Sequence, residues 1–103
     1  MRMIKQISDD MRENICEAKD KIRMAYKLRE VDKAAADWYK EMAAAHLNFN
    51  TRGHECVAKM ISEAKTKMAD NPMTPGMIAV YEEIHADIIA ENAEVHGMIN
   101  AYK

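Results

Sequence analysis

Two prolines serve the whole chain, and both fall in one five-residue stretch, Pro72-Met73-Thr74-Pro75-Gly76. Proline removes a backbone donor and clashes with the preceding turn, so it ends most helices that it enters. Some seventy residues before this stretch and twenty-seven after it are almost free of breakers. Alanine, methionine, lysine and glutamate are abundant while aromatics make up only 6%. That mixture favours helix over strand, and 103 residues suit one domain rather than two. The expectation is a single all-α domain over 1–103, an up-down bundle of long helices.

Helix limits follow from local chemistry. Asp10 and Glu13 have the spacing of a capping box, although the apolar rhythm already begins near Ile4. A first helix over about 4–29 is expected. The rhythm restarts after Val31, where Asp32 can cap a helix that Ala34, Ala35 and Ala36 carry forward. The next stretch, 33–69, has two readings. Asn48, Asn50, Thr51 and Gly53 could form a loop and make four helices, yet apolar residues continue in step through Val57, Met60, Ile61, Ala64 and Met68. One continuous helix is the reading adopted, and it places Gly53 in a helix interior. Glycine there is destabilising by roughly 1 kcal/mol relative to alanine, so a close neighbour is expected at Gly53. Thr74 and Pro75 suit the start of a third helix, over 75–102.

That last helix carries the clearest stripe: Met77, Tyr81, Ile84, Ile88, Glu91, Val95, Met98 and Tyr102 alternate steps of four and three. Seven of the eight suit a core. Glu91 does not, since a buried carboxylate needs a partner; a displaced stripe, with Ala90 or Asn92 turned inward, is the simpler explanation. Met11, Met42 and Met60 also sit at core spacings, Trp38 and Tyr39 suit a helix-helix seam, and Cys16 and Cys56 are expected to be buried thiols rather than metal or disulfide partners.

The function classes that the residues leave out are several. A net charge of -2 with both signs interspersed supplies no basic field for nucleic acid. The first residues lack the apolar run of a signal peptide and no window reaches a membrane span, so a cytoplasmic protein is expected. No serine-histidine-acid set or glycine-rich phosphate loop is present, which leaves hydrolase and nucleotide-binding readings without residues. Metal chemistry retains candidates, because helical bundles hold di-iron centres with inward glutamates and Glu-x-x-His pairs. Glu82 and His85 have that spacing, but four histidines and ten glutamates would supply about 0.4 such pairs by chance. His46 has Ala43 three residues before it. His54 lies two turns beyond His46 with Asn50 between them, a polar strip, and Glu17 is the central candidate for a facing carboxylate on the first helix.

A family pattern can be read along the second and third helices. Trp38-Tyr39-Lys40-Glu41-Met42, His46, Phe49-Asn50 and Gly53-His54, followed by Pro75-Gly76-Met77, Ala79-Val80-Tyr81, His85 and Ile89-Ala90, resemble small, uncharacterised ferritin-like helical proteins of bacterial genomes and prophages. The resemblance spans roughly residues 10–103 and implies three helices and self-association. Its relatives carry acids before the histidine of the second helix, whereas this chain reads Ala43-Ala44-Ala45-His46; His46 and His85 are the histidines that match. The expected function is a non-enzymatic structural or interaction protein without a cofactor, dimerising antiparallel so that the overhang of the long second helix is covered. The alternative is a protein binding iron or another divalent metal through His46, His85 and Glu82, with Glu17, His54 and Glu91 as further ligands. An unidentified protein partner in a helix groove is a third reading.

Overall fold

The computed structural model describes residues 2–67 and 74–102, and three helices account for nearly all of them: α1 (Arg2–Leu28), α2 (Lys33–Lys67) and α3 (Thr74–Ala101). No strand occurs among the described residues. The helices run up, down and up in a rod 59 Å long and 17 by 16 Å across. None of the described helices is long and apolar enough to cross a membrane.

α1 starts at Arg2, close to the expected start near Ile4, so Asp10 lies inside it and the capping-box spacing of Asp10 and Glu13 is not used as a helix start. The apolar rhythm from Ile4 prevails over that local signal. At the other end, the Val31 and Asp32 amides both donate to the Leu28 carbonyl, at 3.0 and 2.8 Å. Asp32 then caps α2 as its sequence position predicts: its carboxylate accepts from the Ala35 amide at 3.1 Å, and its carbonyl accepts from the Ala36 amide. The connection is therefore four residues long, and α1 and α2 are antiparallel neighbours.

α2 is a single helix through Asn48–Gly53. Its core side carries Ala36, Ala43, Leu47, Asn50, Val57, Ile61 and Ala64. The facing side of α1 carries Ile4, Met11, Ile15, Ala18, Ile22 and Ala25, and α3 adds Ile78, Ile88, Val95 and Ile99, with Tyr102 just beyond its end. Fully enclosed alanines on both α1 and α2 let the two backbones approach closely. Gly53 takes this furthest. A Cβ there would stand 2.8 Å from both Cγ and Sδ of buried Met11, so the missing side chain is the room that Met11 occupies.

The far end of the bundle is tied by tyrosines. Tyr26 donates to the Met98 carbonyl at 3.0 Å and packs edge-on against Tyr102, with 5.3 Å between ring centroids. On α3 the displaced stripe is the one that forms: Glu91 is exposed and Asn92 turns inward. Three expectations fail. Cys16 and Cys56 are exposed, because each lies one residue outside its helix's core line, after Ile15 and before Val57. Trp38 is 52% exposed, since Tyr39 takes the inward position and the indole only edges against it. Met77, at the start of α3, is 39% exposed. The end of α2 predicted near residue 69 and the turn at 71–73 lie outside the described residues.

Gly53→Ala combines a helix-propensity gain of about 1 kcal/mol with overpacking of Met11 that costs typically 1–3 kcal/mol. Net destabilisation by about 1 kcal/mol is expected in urea denaturation. In a Met11→Ala background the same change should stabilise; a stabilising effect in the unaltered chain would contradict the close contact.

Candidate functional site

The polar groups of the bundle interior converge at mid-height, where α1, α2 and α3 each present an asparagine. Asn50 of α2 is fully buried and central. Its amide nitrogen donates to the Met11 carbonyl and to Asn92 Oδ1 of α3, both at 3.1 Å, and its Oδ1 accepts from Asn14 of α1 at 3.4 Å. Asn14 Oδ1 in turn lies 3.2 Å from His46 Nδ1. Because an amide oxygen only accepts, His46 carries its proton on Nδ1 and donates it. The donors then all point one way, from His46 to Asn14 to Asn50 to Asn92, an arrangement in which each bond polarises the next. Among the described residues His46 Nε2 is left buried without a partner, as is the Tyr102 hydroxyl at the tyrosine end.

A second polar contact lies one turn further along α2. His54 Nδ1 approaches His85 Nε2 of α3 at 3.2 Å, and the rings stack with centroids 5.3 Å apart and planes 15° from parallel. The polar strip expected to join His46 and His54 is thus divided. Eight residues turn the helix by about 80°, which sends His46 towards α1 and His54 towards α3. Partial burial holds both His54 and His85 below the ordinary histidine value of 6.5, and for His54 the neighbouring His85 adds to the effect.

The other metal candidates are dispersed. Glu82 is paired with Lys65 of α2 at 2.7 Å. Glu17 bonds to Lys21 at 2.9 Å, and that ammonium holds its carboxyl below the usual carboxylate range. Glu17 does share an open groove with Asp10, Glu13, Asn14, His46 and Phe49, whereas Glu91 lines a separate one with Arg12, Lys19 and Glu94. Among the described residues no three of histidine, cysteine, aspartate and glutamate are grouped to hold a metal ion. The residues as placed in one chain do not fit a di-iron centre.

Sequence reasoning missed one outward feature. Trp38, Met42, Ala45, Phe49 and Cys56 follow steps of four, three, four and seven, which confines them to about 60° of the α2 surface over about 27 Å, with Met42 and Ala45 half-buried. Phe49 is 70% exposed on this stripe, with Trp38 and Cys56 also in the open. The signal is available as heptad spacing, but a core assignment for Met42 absorbs it; Met60 packs against the core as its spacing predicts. No family model, curated protein or solved structure matches the chain.

Asn50→Ala removes three hydrogen bonds and strands the carboxamides of Asn14 and Asn92; a loss of about 3 kcal/mol is expected in chemical denaturation. A loss below about 1 kcal/mol, the worth of a single net hydrogen bond, would show that the layer is not held. The histidine pair sets the pH dependence. Folded-state values below 6.5 mean that the unfolded chain binds more protons in the window beneath it. Stability is therefore complete above about pH 6.5 and falls as pH drops through that value towards the folded ones. Melting temperature should decline between about pH 7.5 and 5.5, and His54→Gln with His85→Gln should flatten the decline; an unchanged slope in the double variant would contradict the assignment.

Proposed function

We propose that this chain is a non-enzymatic helical structural or interaction protein that works by laying the outward stripe of α2 against another helix. The carrying observation is that stripe. Exposed large apolar side chains aligned on one helix face mark an interaction surface, and a half-exposed tryptophan with a phenylalanine 70% exposed is the composition of an interface core. Heptad spacing makes a helix the natural occupant.

A ferritin-like arrangement is compatible with this reading. Such bundles have four helices; α1, α2 and α3 supply three, and a helix on the stripe would supply the fourth. Self-association then completes the bundle, and the buried polar layer serves to hold α2 straight and in register so that the stripe is presented without distortion. The histidines have structural duties here, His46 as donor to the asparagine layer and His54 with His85 as a contact between α2 and α3.

Metal content separates this reading from a metalloprotein. Untagged protein expressed with added iron and manganese should contain metal far below one ion per chain by mass spectrometry. Near-stoichiometric metal that disappears on His85→Ala while helicity is retained would overturn the proposal.

A further inference from the structure

The stripe has unlike flanks. On the α1 side stand Asp10, Glu13 and Glu17, which line the groove beside Phe49. The opposite side of α2, turned about 40–60° from the stripe, carries Glu41, Arg52 and Lys59. Among the described residues Asp10, Glu13, Glu41 and Arg52 form no ion pair, whereas Glu17 is paired with Lys21. All four lie exposed on the surface.

Heights along the rod follow from the cross-helix contacts. Asn14 meets both His46 and Asn50, and Met11 packs on Gly53. With antiparallel helices of equal rise, Asp10 is level with about residue 52 of α2, Glu13 with about 49, and Lys21 with about 41. A two-fold axis can bring the stripe onto itself in two ways. An axis across α2 near residue 50 gives an antiparallel pair; it stacks Asp10, Glu13 and Glu17 of one copy on the same acids of the other, and sets Glu41 opposite Lys59 on the far flank. An axis along α2 gives a parallel pair at equal heights. It sets Arg52 of each copy against Asp10 and Glu13 of the other, and Glu41 against Lys21. Like charges in register oppose association and unlike charges select it.

We infer that the occupant of the stripe is a second copy of this chain, parallel to the first, with Arg52 of each copy facing Asp10 and Glu13 of the other. This rests on the interaction reading above. Trp38, Phe49 and Cys56 then meet their own counterparts across the axis, and the apolar line is covered along its whole length. The parallel orientation departs from the antiparallel pairing that the length of α2 suggests; the acids Asp10, Glu13 and Glu17, stacked on themselves in that pairing, outweigh its Glu41–Lys59 contacts.

Cysteine cross-linking with sedimentation equilibrium tests the inference on the full chain. With Cys16→Ser, mild oxidation by glutathione disulfide should join two chains through Cys56. With both native cysteines replaced by serine, Trp38→Cys should cross-link to itself. Arg52→Glu should weaken the dimer at least about tenfold, and Glu13→Arg in the same chain should restore it. All these positions are exposed, and circular dichroism confirms that each variant remains helical. In a third variant, Cys16→Ser with Trp38→Cys and Cys56 retained, a cross-link formed only between positions 38 and 56 would overturn the parallel arrangement. A mass of 11.8 kDa throughout the micromolar range would overturn the second copy as occupant, assigning the stripe to a different partner. Bound metal, read separately, would overturn the interaction reading whatever the mass.

Discussion

The fully buried carboxamide of Asn50 is the constraint on which the arrangement of the three helices depends. Burial of Ile22, Ile88, Val57 and Val95 drives the helices together, but apolar attraction has no direction and tolerates a slip of one helix along another. Asn50 does not tolerate it. Its two N–H groups and its oxygen are satisfied only when Asn14, Asn92 and the Met11 carbonyl stand at one height. Any other register buries an unpaired amide, a penalty of about 1–3 kcal/mol for each stranded group. The layer thus selects one packing among several that the isoleucines and alanines would accept, the role best attested for buried asparagine in helical assemblies.

Short side chains can bridge three helices only if the backbones are close, and the small residues around the layer provide that closeness. Ala43 precedes Asn50 by two turns and Gly53 follows it by one, with Met11 fitted into the space at Gly53. The same close approach aims His46 at α1 and His54 at α3, so the polar groups of α2 are consumed by the bundle itself. What remains lies on the third side of α2: an apolar line that meets no other described helix of its own chain, with acids on its α1 margin and Arg52 and Lys59, beside Glu41, on the other. Architecture and proposed function are in this sense one argument, since the face turned away from the layer is the face left for association.

Features that depend on local chemistry were legible in the residues. The cap at Asp32, the continuity of α2 through Gly53, the close neighbour at Gly53 and the displaced stripe that leaves Glu91 outside all follow from spacing and propensity, the choice of Asn92 over Ala90 being left to the structure. Features that depend on partners distant in sequence were not. Asn14 gains its role from Asn50, 36 residues away, and His54 from His85, 31 residues away; neither spacing has a signature. Average tendencies misled where position decided otherwise. Cysteine is commonly buried, yet Cys16 and Cys56 each fall one step outside the core line. The four-and-three stripe places Met77 inward and the seam with Tyr39 places Trp38 there, but Met77 stands at the first turn of α3 and Tyr39 takes the inward position beside Trp38. Glu82 and His85 kept their one-face spacing, but Lys65 and His54 reach them from α2.

The most direct test of the asparagine layer is solvent exchange of the Asn50 side-chain amide protons, followed by NMR on nitrogen-labelled protein. Both protons are hydrogen-bonded inside the bundle, so they should exchange only as fast as the whole structure opens, far more slowly than those of exposed Asn48 and Asn100. Exchange of Asn50 at the rate of those two surface asparagines would contradict the layer, and with it the account of how the three helices find their register.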